Sequence, residues 1–212
     1  MTNYLNMKKK SFAIIIILIV STVVYLTTTS IEVGLFEAAV VESPFSSQPQ
    51  VKRPGTRYKF FWNQIHIYNM SQTASRHQLE VQDRDNNPIK LTLVARFSPI
   101  RENLGLLHNE LGKDYQKDFV DPYIISSTKE IASNYSAEEL WVSQRVEFEI
   151  ALTGNITAEL SKKYIDLKSL LIISIDIPTE LEEAIKEKYQ ENEPAESKEF
   201  EETTNSENTV TT

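Results

Sequence analysis

The sequence predicts an α+β fold: a domain with a mainly antiparallel sheet and several helices, set between an N-terminal transmembrane helix and a short, disordered, acidic tail. Three observations predict it. An apolar run without charge follows a lysine cluster near the N-terminus. Two alternating runs, HQLEVQ and IKLTLVARF, flank a loop of turn-forming residues. Beyond Pro99 the hydrophobic period lengthens to that of helices, and capping residues stand at their starts.

The N-terminal element rests on MKKKSFAIIIILIVSTVVYLTTTS. Phe12, Ile14, Ile15, Ile16, Ile17, Leu18, Ile19, Val20, Val23, Val24, Tyr25 and Leu26 form its apolar body. With Thr27 to Thr29 the run reaches roughly 18 residues, or ~27 Å of helix at 1.5 Å per residue, just enough to span a bilayer. Lys8, Lys9 and Lys10 precede it and no basic cluster follows. The positive-inside rule therefore leaves the N-terminus in the cytoplasm and exports the rest. A cleaved signal peptide competes with this uncleaved anchor, because the aliphatic part is short, but no A-x-A site follows and Thr28 to Ser30 is a weak cleavage site. Residues 1–30 are thus read as cytoplasmic N-terminus and anchor, 31–190 as the domain and 191–212 as the tail.

Within the domain, IEVGLFEAAVVES (Ile31 to Ser43) reads as a first strand and SPFSSQPQVKRPGTR as a polar linker, with Pro54-Gly55 at the centre of a type II turn. YKFFWNQIHIYNM supplies strand-forming aromatics. The two alternating runs pair as an antiparallel hairpin, in which Ile89, Leu91, Leu93, Ala95 and Phe97 share one face. Among the helices, Asp121 is read as an N-cap with Pro122 at the first helical position. Ser136 and Glu139 form a capping box, and Thr179 and Glu182 repeat it after Pro178. RVEFEI alternates like a strand, but the capping box upstream and the segment's length to about Lys163 favour helix. LKSLLIISIDIP reads as a strand buried on both faces. From Glu191 onward high charge and low hydrophobicity predict disorder.

Composition narrows function by exclusion. The chain has 212 residues, room for one domain plus extras, and a formal charge of −8 from 22 basic and 30 acidic residues. That surplus argues against nucleic acid as a partner. With no cysteine, disulfides, thiolate nucleophiles and cysteine-ligated metals are excluded, which suits an oxidising envelope compartment.

No motif carries catalysis or a cofactor. DRDNNP begins like an EF-hand loop at Asp83, Asp85 and Asn87, but Pro88 stands where glycine is needed and Val94 where a bidentate glutamate closes the site. It is read as a plain turn. Ser126 and Lys129 meet the S-x-x-K pattern without K-T-G or S-D-N partners and are read as a solvated helix face. His66, His77 and His108 stand apart in the sequence and in no ligand spacing, so each is read as an ordinary surface or edge histidine, with no metal expected. Phosphate-cradling glycine loops and the nucleophile elbow are missing. The sequons at Asn69, Asn134 and Asn155 carry little weight in a bacterial-looking chain.

The order of these segments resembles the stomatin, prohibitin and flotillin (SPFH, or Band 7) superfamily, nearest the prohibitins and the bacterial regulators of membrane proteases. The residues that carry the resemblance are Pro54 and Gly55; Leu111, Gly112, Asp114 and Tyr115; Pro122; Tyr135, Ser136, Glu139 and Leu140; Arg145; Pro178; and Ala184, Ile185 and Lys188. The resemblance implies a catalytically inactive, membrane-anchored scaffold without a cofactor. Such a chain self-associates or co-assembles with a longer SPFH paralogue, organises membrane patches and restrains a membrane-bound AAA protease. Prohibitin-like chains continue into a long coiled coil, whereas Leu181, Ile185 and either Lys188 or Tyr189 supply barely one and a half heptads before Pro194. Smaller or mixed assemblies are expected in place of a large cage. The alternative function is an exported or tethered module that binds a peptide or ligand without catalysis.

Overall fold

The computed structural model describes residues 14–25 and 30–190. It divides into two compact units. The first comprises Met1–Thr73, Phe97–Phe119 and Leu160–Lys168, and the second Ala74–Arg96, Val120–Glu159 and Ser169–Thr212.

Helix α1 covers residues 14–25, and every one of them is exposed. Among the described residues no helix is long and apolar enough to cross a membrane. The expected anchor extends at both ends, through Phe12 and Leu26, onto residues outside the described set. The expected disordered tail, 191–212, also lies outside it.

The predicted first strand is two strands. β1 (Ser30–Val33) and β2 (Glu37–Ser43) are separated by a turn at Gly34. There Glu37 N donates to Gly34 O at 3.1 Å and the Glu37 carboxylate accepts from Gly34 N at 3.0 Å. The predicted linker also folds, into β3 (Ser46–Lys52) and β4 (Gly55–Tyr58). Polar composition hid them because both are edge strands: β3 flanks β2 in the order β3-β2-β5, and β4 pairs only with β1. Pro49 is tolerated in β3 because an edge position does not need its amide. Gly55 has the positive φ, 109°, that the turn reading required, yet it already pairs with Val33.

β5 (Gln64–Asn69) lies antiparallel to β2, with Val40 opposite His66 and Ala38 opposite Tyr68. Ala38, Ala39 and Val40 are fully buried between these neighbours. Helix α2 (Leu104–Leu111) buries Leu104, Leu107 and His108, one stripe at i, i+3 and i+4. It ends at Gly112, whose φ of 74° and ψ of −165° suit glycine and whose amide donates to the His108 carbonyl at 3.0 Å.

Most of β6 (Thr73–Gln82) and of β7 (Pro88–Pro99) belongs to the second unit, and the two are neighbours joined by a short loop, the expected hairpin. The face from Ile89 to Phe97 at alternate positions is buried throughout. Helix α3 (Asp121–Ala132) follows a π-helical turn, Gln116–Val120. The backbone before Asp121 is therefore already helical, and Asp121 is not the expected N-cap; its carboxylate instead accepts from Ser75 Oγ at 2.8 Å. Ser136 and Glu139 do form their box: Glu139 N donates to Ser136 Oγ at 3.2 Å and Ser136 N to the Glu139 carboxylate at 2.8 Å.

Helix α4 (Arg145–Lys162) settles the RVEFEI conflict. Phe148, Leu152, Ile156 and Leu160 are fully buried at four-residue spacing, while Val146 and Ile150 are exposed, a pattern no strand would give. β8 (Ile165–Asp176) corrects one expectation, since it is an edge strand of the order β6-β7-β8. Leu170 and Ile172 are buried, but Leu171 and Ile173 are 44% and 51% exposed, so only one face is covered.

Helix α5 spans 179–190, but the expected Thr179–Glu182 box is not what starts it: Leu181 N and Glu182 N donate to Pro178 O at 3.0 Å, and the Glu182 carboxylate accepts from Lys186 instead. Ile185 is buried, and Lys188 Nζ reaches Glu138 at 2.8 Å. Of the residues that would seed a coiled-coil seam, Ile185 is thus occupied within its own unit, while Tyr189 is 45% exposed.

Candidate functional site

Among the described residues, a carboxylate and two histidines gather on one face of the β2–β5 pair. Ala38, Val40 and Glu42 alternate onto this face of β2, opposite Tyr68, His66 and Gln64 of β5. His66 is thus a diagonal neighbour of Glu42, close enough for side chains to meet. α2 supplies the third member, His108, from its buried stripe.

Glu42 Oε1 lies 2.7 Å from Nε2 of His108, and Glu42 Oε2 lies 3.6 Å from Nε2 of His66. The two imidazole centroids are 4.7 Å apart. On its other side His108 presents Nδ1 to the Tyr68 hydroxyl at 2.5 Å. Tyr68 in turn stacks on Tyr115 at 6.3 Å. The hydrogen bond from His108 is the main cause holding the Glu42 carboxyl below its ordinary value, against partial desolvation. Burial raises the Tyr115 phenol to about 12 and the Tyr68 phenol further still, so both stay protonated at neutral pH. Glu42 also borders a cavity of about 300 Å³ with Ser46, Trp62, Gln64 and Asn109.

The expectation of three separate surface histidines is corrected. His108 and His77 are only 8% and 9% exposed, and folding places His66 against His108. His77 meets Ser75 Oγ at 3.0 Å and Asp121 at 3.4 Å. Sequence distance concealed the cluster, although the i, i+3, i+4 relation of Leu104, Leu107 and His108 already marked His108 as inward-facing.

Other expected positions have structural work. Asp83, 3% exposed, accepts from Asp85 N, Asn87 N, Asn87 Nδ2 and Ala137 N between 2.7 and 3.0 Å, which makes DRDNNP a turn. Ser126 and Lys129 are exposed on α3. Tyr135 packs edge-on to Phe148, and Arg145 donates to the Ile172 carbonyl at 2.7 Å. Asp114 is exposed and its carbonyl accepts from Asp118 N; Pro54 O accepts from Arg57. Pro122 is exposed in the first turn of α3. Asn69 and Asn134 use their side chains in local bonds to Ser71 N and the Glu130 carbonyl, and Asn155 Oδ1 accepts from the Tyr123 and Ser127 hydroxyls of α3.

A second surface feature is aromatic. Phe45, Phe60 and Phe61 gather around Trp62 with ring centroids 4.6 to 5.9 Å apart, yet Phe45 and Phe61 are 82% and 76% exposed. An exposed apolar helix and an exposed aromatic cluster thus accompany a mixed α+β fold of antiparallel sheets and several helices. The SPFH domain / Band 7 family matches residues 31–206, more than half of the chain, and the chain belongs to that family. Its members are in general scaffolds that associate with membranes and are not catalysts. No match is found among curated proteins.

Proposed function

We propose that this chain is a membrane-anchored scaffold whose domain, residues 31–190, is held outside the cytoplasm and assembles with copies of itself or a longer SPFH paralogue to organise membrane patches. The observation that carries the reading is α1, a helix whose aliphatic side chains from Ile14 to Tyr25 are all exposed. A helix that is apolar all round needs a core or a lipid environment, and Ile14 to Val20 of this one stand 45% to 65% exposed. The cluster around Trp62 supports the same reading, because exposed aromatic rings favour the headgroup zone of a bilayer.

Confinement to a plane raises effective concentration, so weak contacts between domains suffice for assembly. With Ile185 and Lys188 engaged within their own unit, association through the domains fits better than a coiled-coil cage. Modulation of a membrane-bound AAA protease is the downstream role that family resemblance suggests.

Alkaline extraction of membranes followed by crosslinking tests the reading. The chain should stay with the lipid pellet and crosslink to itself or to another SPFH protein. Release by alkali, or a mature N-terminus near Ser30, would leave the alternative of an exported binding module.

A further inference from the structure

We propose that Glu42, His66 and His108 form a binding site for a divalent transition-metal ion with the preferences of zinc. This goes beyond the scaffold reading and does not depend on it. Each residue offers one ligand atom, and these atoms lie within 4.8 Å of one another. Donors around a tetrahedral zinc with bonds of ~2.0 to 2.2 Å stand about 3.3 Å apart. Glu42 approaches the two rings through different oxygens, Oε1 to His108 at 2.7 Å and Oε2 to His66 at 3.6 Å, so a small turn of its exposed carboxylate and of the rings would bring three donors to that spacing. The Glu42 side chain is 45% exposed at the edge of the cavity, so it is free to adjust to an ion.

The surroundings are those of a metal site. His108 is buried, and its second nitrogen, Nδ1, is held by the Tyr68 hydroxyl at 2.5 Å. With Nε2 as ligand, Nδ1 carries the proton and donates to the Tyr68 oxygen, which fixes the ring and its tautomer. Tyr115 backs Tyr68 from behind. A cavity of about 300 Å³ borders Glu42, though neither histidine lines it, and leaves the carboxylate side of the group open to water.

Ligand chemistry selects the ion. Two imidazoles and one carboxylate suit zinc, cobalt, nickel or iron(II); magnesium and calcium prefer all-oxygen shells. The chain has no cysteine to compete for a softer ion. The bound ion would join two strands and a helix that are distant in sequence, so it would act as a clamp on the β2–β5–α2 layer.

The test uses the full-length chain in detergent, stripped with a chelator and titrated with zinc against a chromophoric competitor, and with cobalt by visible absorption. One equivalent per chain is expected, unaffected by excess magnesium. Glu42→Gln and His66→Asn should each weaken zinc by more than tenfold, and Tyr68→Phe by about tenfold. His77→Asn, in the other unit, should leave binding unchanged. Glu42→Gln changes a half-exposed side chain and keeps the test valid should His66→Asn misfold. Absence of stoichiometric zinc binding by the unaltered chain, or undiminished binding by Glu42→Gln, would overturn the proposal.

Discussion

The carboxylate of Asp83 accepts a hydrogen bond from the amide of Ala137 at 2.9 Å, across 54 residues of sequence. The same side chain closes the β6–β7 turn through Asp85 N and both nitrogens of Asn87. Asp83→Ala leaves four donors to find other partners and should cost about 3 kcal/mol. Asp85→Ala, at an exposed position, should stay within about 0.5 kcal/mol. Urea unfolding of the two variants checks the contrast; equal midpoints would refute it.

Gly112 sits at a φ and ψ that only glycine adopts easily. Nothing lies within 4 Å of where a β-carbon would be, so any penalty comes from the backbone itself. Gly112→Ala should therefore destabilise by about 1 to 3 kcal/mol. An unfolding midpoint unchanged from the parent would show that the α2 terminus relaxes freely.

Acid should loosen α5 before it unfolds the domain. The hydrogen bond from Lys188 lowers the Glu138 carboxyl below its ordinary 4.5, and Glu138 raises the Lys188 ammonium above 10.5. The Glu138 contribution is present above 4.5 and is lost as pH falls through the lowered folded value. The Lys188 contribution is present below 10.5 and is lost as pH rises through the raised one. The protection of residues 179–190 against hydrogen exchange, each rate taken relative to that of a free amide at the same pH, should be high at neutral pH and fall in acid. Glu138→Gln should give the lower protection already at neutral pH, with less dependence on acid.

Replacing Phe60 and Phe61 by serine should reduce flotation with liposomes severalfold while the thermal midpoint stays within a degree or two, because both rings are already exposed. A large fall in the midpoint would instead mark them as part of the core.

Much of the second unit could be read from periodicity. The β7 face, the four-residue stripe of α4 and the Ser136–Glu139 box each express a local rule within a few residues. The first unit was harder. β3 and β4 are polar edge strands whose identity comes from β2 and β1, partners that no local pattern names. The Asp121 cap failed because a π-helical turn precedes it, and such turns have no strong sequence signature. The Glu42, His66 and His108 group was invisible for the same reason as β3: its members meet only through the β2–β5 register and the packing of α2.

The two-sided apolar character of β8 has a consequence for alignment. Leu170 and Ile172 point inward and Leu171 and Ile173 outward, so sliding the strand by one residue would exchange one aliphatic pair for another at little hydrophobic penalty. Oiliness alone does not say which neighbour each residue should face. Every residue offers a carbonyl like the one of Ile172 that Arg145 meets at 2.7 Å, so the alignment is chosen where the run ends: a slip by one would put Ser174 or Asp176 in the buried place of Ile175.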